Sequence, residues 1–240
     1  MSKIVCIDPG HWPDSVNCSP DRKYWEYEFA WDLHLRLKAR LEENGITVVV
    51  TRKEQENPSL TARANVGNRA SADLFLSIHS NAVGGGWKPP RGFIAYTSSG
   101  PETAERNKAA TAILGAVKDA GVILFGIGKP YHELFTVLTA TTAPAVLLEC
   151  GFHTNREEVA LLKTADYRDK LAKAITFGVM NYFGIEEQQP ESGQPDQADP
   201  WAQEAWDKAV AAGIFDGTRP RDVLTRQEAA VVLDRLGLLK

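Results

Sequence analysis

Three short apolar runs each open into a residue that chemistry would choose and packing would not. Residues 4–7 lead to His11 in Ile7-Asp8-Pro9-Gly10-His11. Residues 74–78 lead to His79 in Ser77-Ile78-His79-Ser80-Asn81, and residues 144–148 lead to Glu149. Runs of four or five Ile, Val, Leu and Phe bounded by Gly or Pro read as buried strands. In an α/β fold the mouths of such strands are where ligands bind. Two imidazoles and a carboxylate at strand mouths point to a metal site with a base beside it.

The rest of the chain supplies helices between these strands. The expected order is a strand over 4–7, a helix over 26–43, and a strand over 47–51. A helix over 60–72 precedes the strand at 74–78, and another strand follows at 92–96. A helix over 102–120, strands at 137–138 and 146–148, and a helix over 167–183 complete the series. That alternation predicts an α/β fold, a mainly parallel or mixed sheet with helices on both faces. It occupies residues 1–184 as a catalytic domain.

Beyond Gly184 the composition changes. Residues 186–199 hold a single apolar residue, Ala198, so 185–199 reads as a linker. From 200 to 240 a small helical module is expected. Trp201, Ala205, Ala209 and Ala212 or Ile214 fit one helical face, and Thr225 with Glu228 forms a capping box. About 40 residues is close to the lower limit for independent folding, so this module is expected to need a partner.

Composition closes off other classes. A formal charge of -4 with no Lys/Arg cluster argues against nucleic-acid binding through phosphates. No apolar stretch is long enough for a membrane span. Cys6, Cys18 and Cys150 are too scattered for a disulfide framework, and Cys6 and Cys150 read as buried free thiols. The first residues enter a strand without a secretory signal pattern, so the chain is expected to stay in the cytoplasm until release.

Helical geometry selects the third metal ligand. Phe29, Leu33, Leu37 and Leu41 form the apolar stripe of the first helix. At about 100° per residue Glu26 lies at the centre of that stripe, and Glu28 points to the solvent side with Asp32. A carboxylate on a core-facing stripe is costly unless paired or metal-bound. His11, Glu26 and His79 thus make a two-histidine, one-glutamate set for Zn²⁺ with a position left for water, which zinc acidifies towards neutrality. Glu149 is the expected proton carrier. His34 reads as solvated, and His132 and His153, in loops, as candidate substrate contacts. Arg52 reads as a structural charge partner.

These segments resemble the zinc-dependent N-acetylmuramoyl-L-alanine amidases of the amidase-3 type, found in bacterial autolysins and phage endolysins. The likeness runs over residues 4–183. It is carried by Asp8-Pro9-Gly10-His11, the Glu26 helix ending in Asn44-Gly45, and Thr51-Arg52. It continues through Leu60-Thr61-Ala62-Arg63-Ala64-Asn65, residues 73–82, residues 144–152 and Asn155. The resemblance implies zinc on His11, Glu26 and His79 and catalysis by Glu149, in hydrolysis of the amide between N-acetylmuramic acid and L-alanine in peptidoglycan. Two departures touch loop and support positions: Ala30 stands where the family usually has Asn, and Trp12-Pro13 follow His11 where many members are glycine-rich. The tail, with Trp201-Ala202, Ala211-Ala212-Gly213-Ile214 and residues 224–230, resembles part of an S-layer-homology repeat. That implies attachment to a secondary wall polymer, with self-association as a further expectation. Within the family the absent signal favours a phage endolysin. Rival readings are a zinc peptidase cutting within the stem peptide and a wall-binding protein with a dead site.

Overall fold

The computed structural model describes residues 2–186, 203–215, 232–233 and 236. The chain forms two compact units, Met1–Glu187 and Gln188–Lys240.

The first unit is a mixed sheet of six strands among the described residues, in the order β2-β1-β3-β6-β4-β5. The strands are β1 (Ile4–Pro9), β2 (Thr47–Val50), β3 (Leu74–Asn81), β4 (Ile94–Thr97), β5 (Tyr131–His132) and β6 (Ala145–Phe152). β2, β1, β3 and β6 run parallel. β4 is antiparallel to β6, and β5 is parallel to β4.

Both faces are covered, and the alternation of side chains along each strand shows how. Val5 and Ile7 of β1, Leu74, Leu76 and Ile78 of β3, and Val146 and Leu148 of β6 share one apolar cluster. In it they meet the buried faces of α1 (Glu26–Glu43), α3 (Glu105–Asp119) and α6 (Ala165–Phe183). The intervening Cys6, Phe75, Ala145 and Leu147 belong to a second cluster with Val137 and Leu138. That face carries α2 (Leu60–Arg69) and α4 (Thr136–Thr139). Unbroken burial over Leu74–Ile78 of β3 and Ala145–Leu148 of β6 is what a central strand covered on both sides requires. Helix starts follow the capping rules: the Ser59 hydroxyl accepts from Ala62 N, Asn155 caps α5 (Arg156–Leu162), and Thr164 caps α6.

Three expectations change. Residues 137–138 lie in the short helix α4, not in a strand; a two-residue apolar pair carries no periodicity to separate the two. α5 and β5 were not expected. His34 is buried, 2% exposed, with Nδ1 against the Trp31 carbonyl and its ring over the Trp31 ring. It sits about 20° from Leu41 around the helix at 100° per residue, so the apolar face is wider than four leucine and phenylalanine positions suggested. Burial holds its imidazole down at about 4. Cys6 and Cys150 are buried free thiols, each raised by burial, Cys6 to about 12.

In the second unit α7 (Gln203–Ala211) is followed by Phe215, whose ring stacks on Trp206 at 4.9 Å. Trp201, the capping box at Thr225 and Glu228, and all of the expected linker except Ile185 and Glu186 lie outside the described residues.

Candidate active site

The C-terminal ends of β1, β3 and β6 lie side by side, because β1 pairs with β3 and β3 with β6 in parallel register. His79 pairs directly with Glu149 across β3 and β6, and the register then slips between His79 and Asn81. His11 lies just past β1 with φ of 56°, a conformation that costs a non-glycine residue roughly 1–3 kcal/mol. Glu26 is the first residue of α1, where the helix dipole favours a carboxylate.

These positions converge. One donor atom from each of His11, Glu26 and His79 lies within 4.8 Å of the others. Glu26 Oε2 is 3.1 Å from His11 Nε2, and Oε1 is 3.0 Å from His79 Nδ1. Glu26 is 2% exposed. Burial pushes its carboxyl up, but the two imidazoles outweigh burial and hold it below the usual carboxylate range. For His79, burial pulls down, and hydrogen bonding and charge from Glu26 overcome it, raising the imidazole to about 9. Two imidazole nitrogens and a carboxylate oxygen in reach of one point are a donor set suited to zinc. Glu28, by contrast, is exposed and among the described residues accepts a hydrogen bond from the Tyr27 hydroxyl.

Glu149 is half-buried beside this set, and its buried Oε2 has no hydrogen-bond partner among the described residues. Burial, with the charge of Glu26 added, raises its carboxyl to about 8, and His79 opposes the rise. A buried polar atom left unpaired costs about 1–3 kcal/mol, which marks a group kept for something other than stability. His11, His79 and Glu149 all line a cleft of about 900 Å³. Its wall carries exposed apolar side chains, Leu60 at the start of α2 and Leu134 and Phe135 before α4, beside polar Asp14, Asn57 and Ser59.

Beneath the site, Asp8 and Arg63 form a buried ion pair at 2.9 Å. Asp8 also accepts from Thr51 Oγ1 at 2.6 Å and Ser77 Oγ at 2.7 Å. Arg63 donates to the carbonyls of Pro58, Pro9 and His11, so one guanidinium fastens the turn that presents the first histidine. Arg52 donates to the carbonyls of Pro9, Gly10, Lys53 and Glu54. It is structural, but its partners are carbonyls and the Trp31 ring, 4.9 Å away, and no ion pair forms among the described residues. Gly10 has no room for a side chain, since a Cβ there would lie 2.4 Å from His79 Cε1.

His153 is buried, with Nδ1 2.9 Å from Ser80 Oγ and its ring stacked on Tyr24. With Arg22 and Thr154 it lines a neighbouring cavity of about 370 Å³, which shares Val16 and Asn17 with the cleft. His132 is exposed on β5, with Nδ1 3.1 Å from Thr97 Oγ1, and is not part of the cleft lining. The support by Asp8 and Arg63 was not expected from sequence. Its signal was an arginine on a helix beginning three residues before it, which reads as solvated.

The sequence profile of the amidase-3 family, described as N-acetylmuramoyl-L-alanine amidase, matches residues 5–181. The chain belongs to this family. It is 32% identical over 190 residues to N-acetylmuramoyl-L-alanine amidase LytC of Bacillus subtilis, a match covering 76% of this chain and 36% of that longer protein. It is also 32% identical over 192 residues to the endolysin of Bacillus phage SPP1, covering 77% of this chain and 68% of the endolysin. Among solved structures, the N-acetylmuramoyl-L-alanine amidase from Clostridium difficile 630 superposes with a TM-score of 0.70 at 29% identity. That match covers 77% of this chain and 98% of the other. The family match contains every residue of the candidate site, and no helix among the described residues is long and apolar enough to cross a membrane.

Proposed function

We propose that the first unit hydrolyses the amide between N-acetylmuramic acid and L-alanine in peptidoglycan, with zinc held by His11, Glu26 and His79. One observation carries the reading: three metal donors within 4.8 Å of one another, with the unpaired buried oxygen of Glu149 beside them. Family membership supports the peptidoglycan amide as substrate. When bound, zinc supplies Lewis acidity for the scissile carbonyl and acidifies water.

The chain's own residues do the rest. Glu149 takes the proton of the attacking water on its Oε2 and hands it to the leaving L-alanine nitrogen, so the carboxyl ends as it began. Burial raises the Glu149 carboxyl, which favours the half in which it donates; the accepting half needs the carboxylate, which the charge of a bound cation would favour. The exposed apolar side chains of Leu60, Leu134 and Phe135 on the cleft wall offer contact surface to the substrate. The second unit serves as a wall-binding module, the role its likeness to an S-layer-homology repeat supports; a secondary wall polymer is its ligand, and self-association a second function. The likeness to the phage protein supports an endolysin setting, in which the chain lyses its producing cell from the cytoplasm only when the membrane is permeabilised alongside it.

The test is lysis of purified walls, with and without chelator. Zinc should restore a chelated enzyme, and new amino termini should be L-alanine while reducing sugars stay constant. New termini on another residue would assign a stem-peptide peptidase, and no turbidity drop would leave a wall-binding protein. Glu149→Gln should keep its zinc and lose about 10²–10⁴ in rate. His11→Ala, Glu26→Ala and His79→Ala should lose the metal, and Glu28→Ala should keep it.

A further inference from the structure

Glu26 has to present a carboxylate oxygen at a fixed angle, and the torsion about its last bond is free unless something outside the metal set holds it. Each oxygen has one such holder. Ser80 N donates to Oε1 at 3.0 Å, and Asn17 Nδ2 donates to Oε2 at 3.1 Å. The two histidines also touch these oxygens, but a cation would claim their lone pairs. What remains is one main-chain donor and one side chain.

Asn17 is placed for this by its own backbone. Its carbonyl accepts Glu26 N at 3.0 Å, closing the first turn of α1, where the Trp25 side chain makes no cap. Its own N–H is tied to Ser15 Oγ at 3.3 Å. The same Nδ2 lies 3.0 Å from His11 Nε2. The amide orientation is unambiguous, because an oxygen in place of Nδ2 would face the Glu26 carboxylate.

We infer that Asn17 is a positioning residue for the metal: its carbonyl and side-chain amide together set the backbone and carboxylate of Glu26 for coordination. The inference rests on the zinc reading above. Hydrogen-bonded supports of this kind typically contribute 10–100-fold in metal affinity.

The experiment measures zinc affinity of full-length protein by competition with a chromophoric chelator, and the visible absorption of the cobalt-substituted protein. Asn17→Ala should weaken zinc by about 10–100-fold and shift the cobalt bands. Ser15→Ala, which loosens the same loop but leaves the Asn17 side chain on Glu26, should stay within about two-fold, well below the range for such supports. Asn17→Asp keeps shape and backbone cap without the donor, and should shift the cobalt bands even if the alanine variant misfolds. Wild-type affinity in Asn17→Ala, equal losses in Asn17→Ala and Ser15→Ala, or unshifted bands in Asn17→Asp would each overturn the assignment. Wild-type protein that binds no zinc would instead sink the metal site itself, and this inference with it.

Discussion

Replacing Arg63 by methionine removes the guanidinium ion-paired with Asp8 while filling much of the same volume, and leaves Arg52 as a more distant cation acting on it. Asp8 is 1% exposed and would keep only the Thr51 and Ser77 hydroxyls as donors. Breaking a buried ion pair by removing one partner costs about 3–5 kcal/mol, because an uncompensated charge stays behind. The carbonyls of Pro9 and His11 lose a donor in the same step. Against a typical total of roughly 5–15 kcal/mol, that is a large fraction of the stability. At about 2–4 °C per kcal/mol for a domain of this size, the melting midpoint should fall by about 6–20 °C. Urea unfolding of the metal-free protein at pH 7 measures the loss. Adding Asp8→Asn to Arg63→Met removes the orphaned charge, so the double variant should be more stable than Arg63→Met alone. A loss under about 1 kcal/mol in Arg63→Met, the scale of a surface pair, or a double variant no better than the single one, would refute the account of Asp8 as a buried charge needing its partner.

Three further outcomes follow from the geometry. Gly10→Ala puts a Cβ 2.4 Å from His79 Cε1 and 2.7 Å from the Ile78 carbonyl. It should cost about 1–3 kcal/mol by overpacking and reduce zinc occupancy; wild-type zinc content would show that the turn yields freely. In metal-free protein Glu149 keeps its proton up to about pH 8, whereas the unfolded chain loses it near 4.3. Between those values the folded state binds the extra proton, so this group's contribution to stability falls as pH rises. Metal-free Glu149→Gln should therefore gain on wild type from pH 5 to pH 8.5; a constant difference would mean Glu149 is ionised throughout. A chain ending at Glu187 retains Ile185, which packs on the core, and should fold and bind zinc. It should lose far more activity on intact walls than on a small soluble muropeptide, because a tethered binder raises local concentration; equal pull-down of both forms by walls would remove the binding role.

The site was more legible than its foundations. His11 follows its strand, whereas His79 and Glu149 lie within strands that run on to Asn81 and Phe152, past the ends expected at 78 and 148; strands of consecutive Val, Ile and Leu announce themselves. Glu26 was found because a carboxylate on an apolar stripe violates the pattern around it. His34 escaped the same logic, since a histidine at the edge of a stripe violates nothing, and only the Trp31 ring and carbonyl reveal its burial. Arg63 was invisible as a support because a helix-borne arginine is ordinarily solvated; what buries it is the return of a strand 55 residues away in sequence. Val137 and Leu138 were read correctly as apolar and wrongly as strand, since their helix is a single turn held by packing against the sheet.

β6 is the last strand of the sheet in sequence, yet it takes a place inside the sheet, between β3 and β4. Until residues 145–152 arrive, β2-β1-β3 and β4-β5 have no strand to join them, and each shows an open edge to the gap. Glu149 comes in on that same strand, aligned with His79 by the pairing that closes the sheet. A slip of one residue would turn the carboxylate to the opposite face. On the proposed function, assembly and chemistry therefore share one event: any form of the chain that is still unfinished, or misregistered at the seam, carries two histidines and a glutamate but lacks the carboxyl proposed to move the proton.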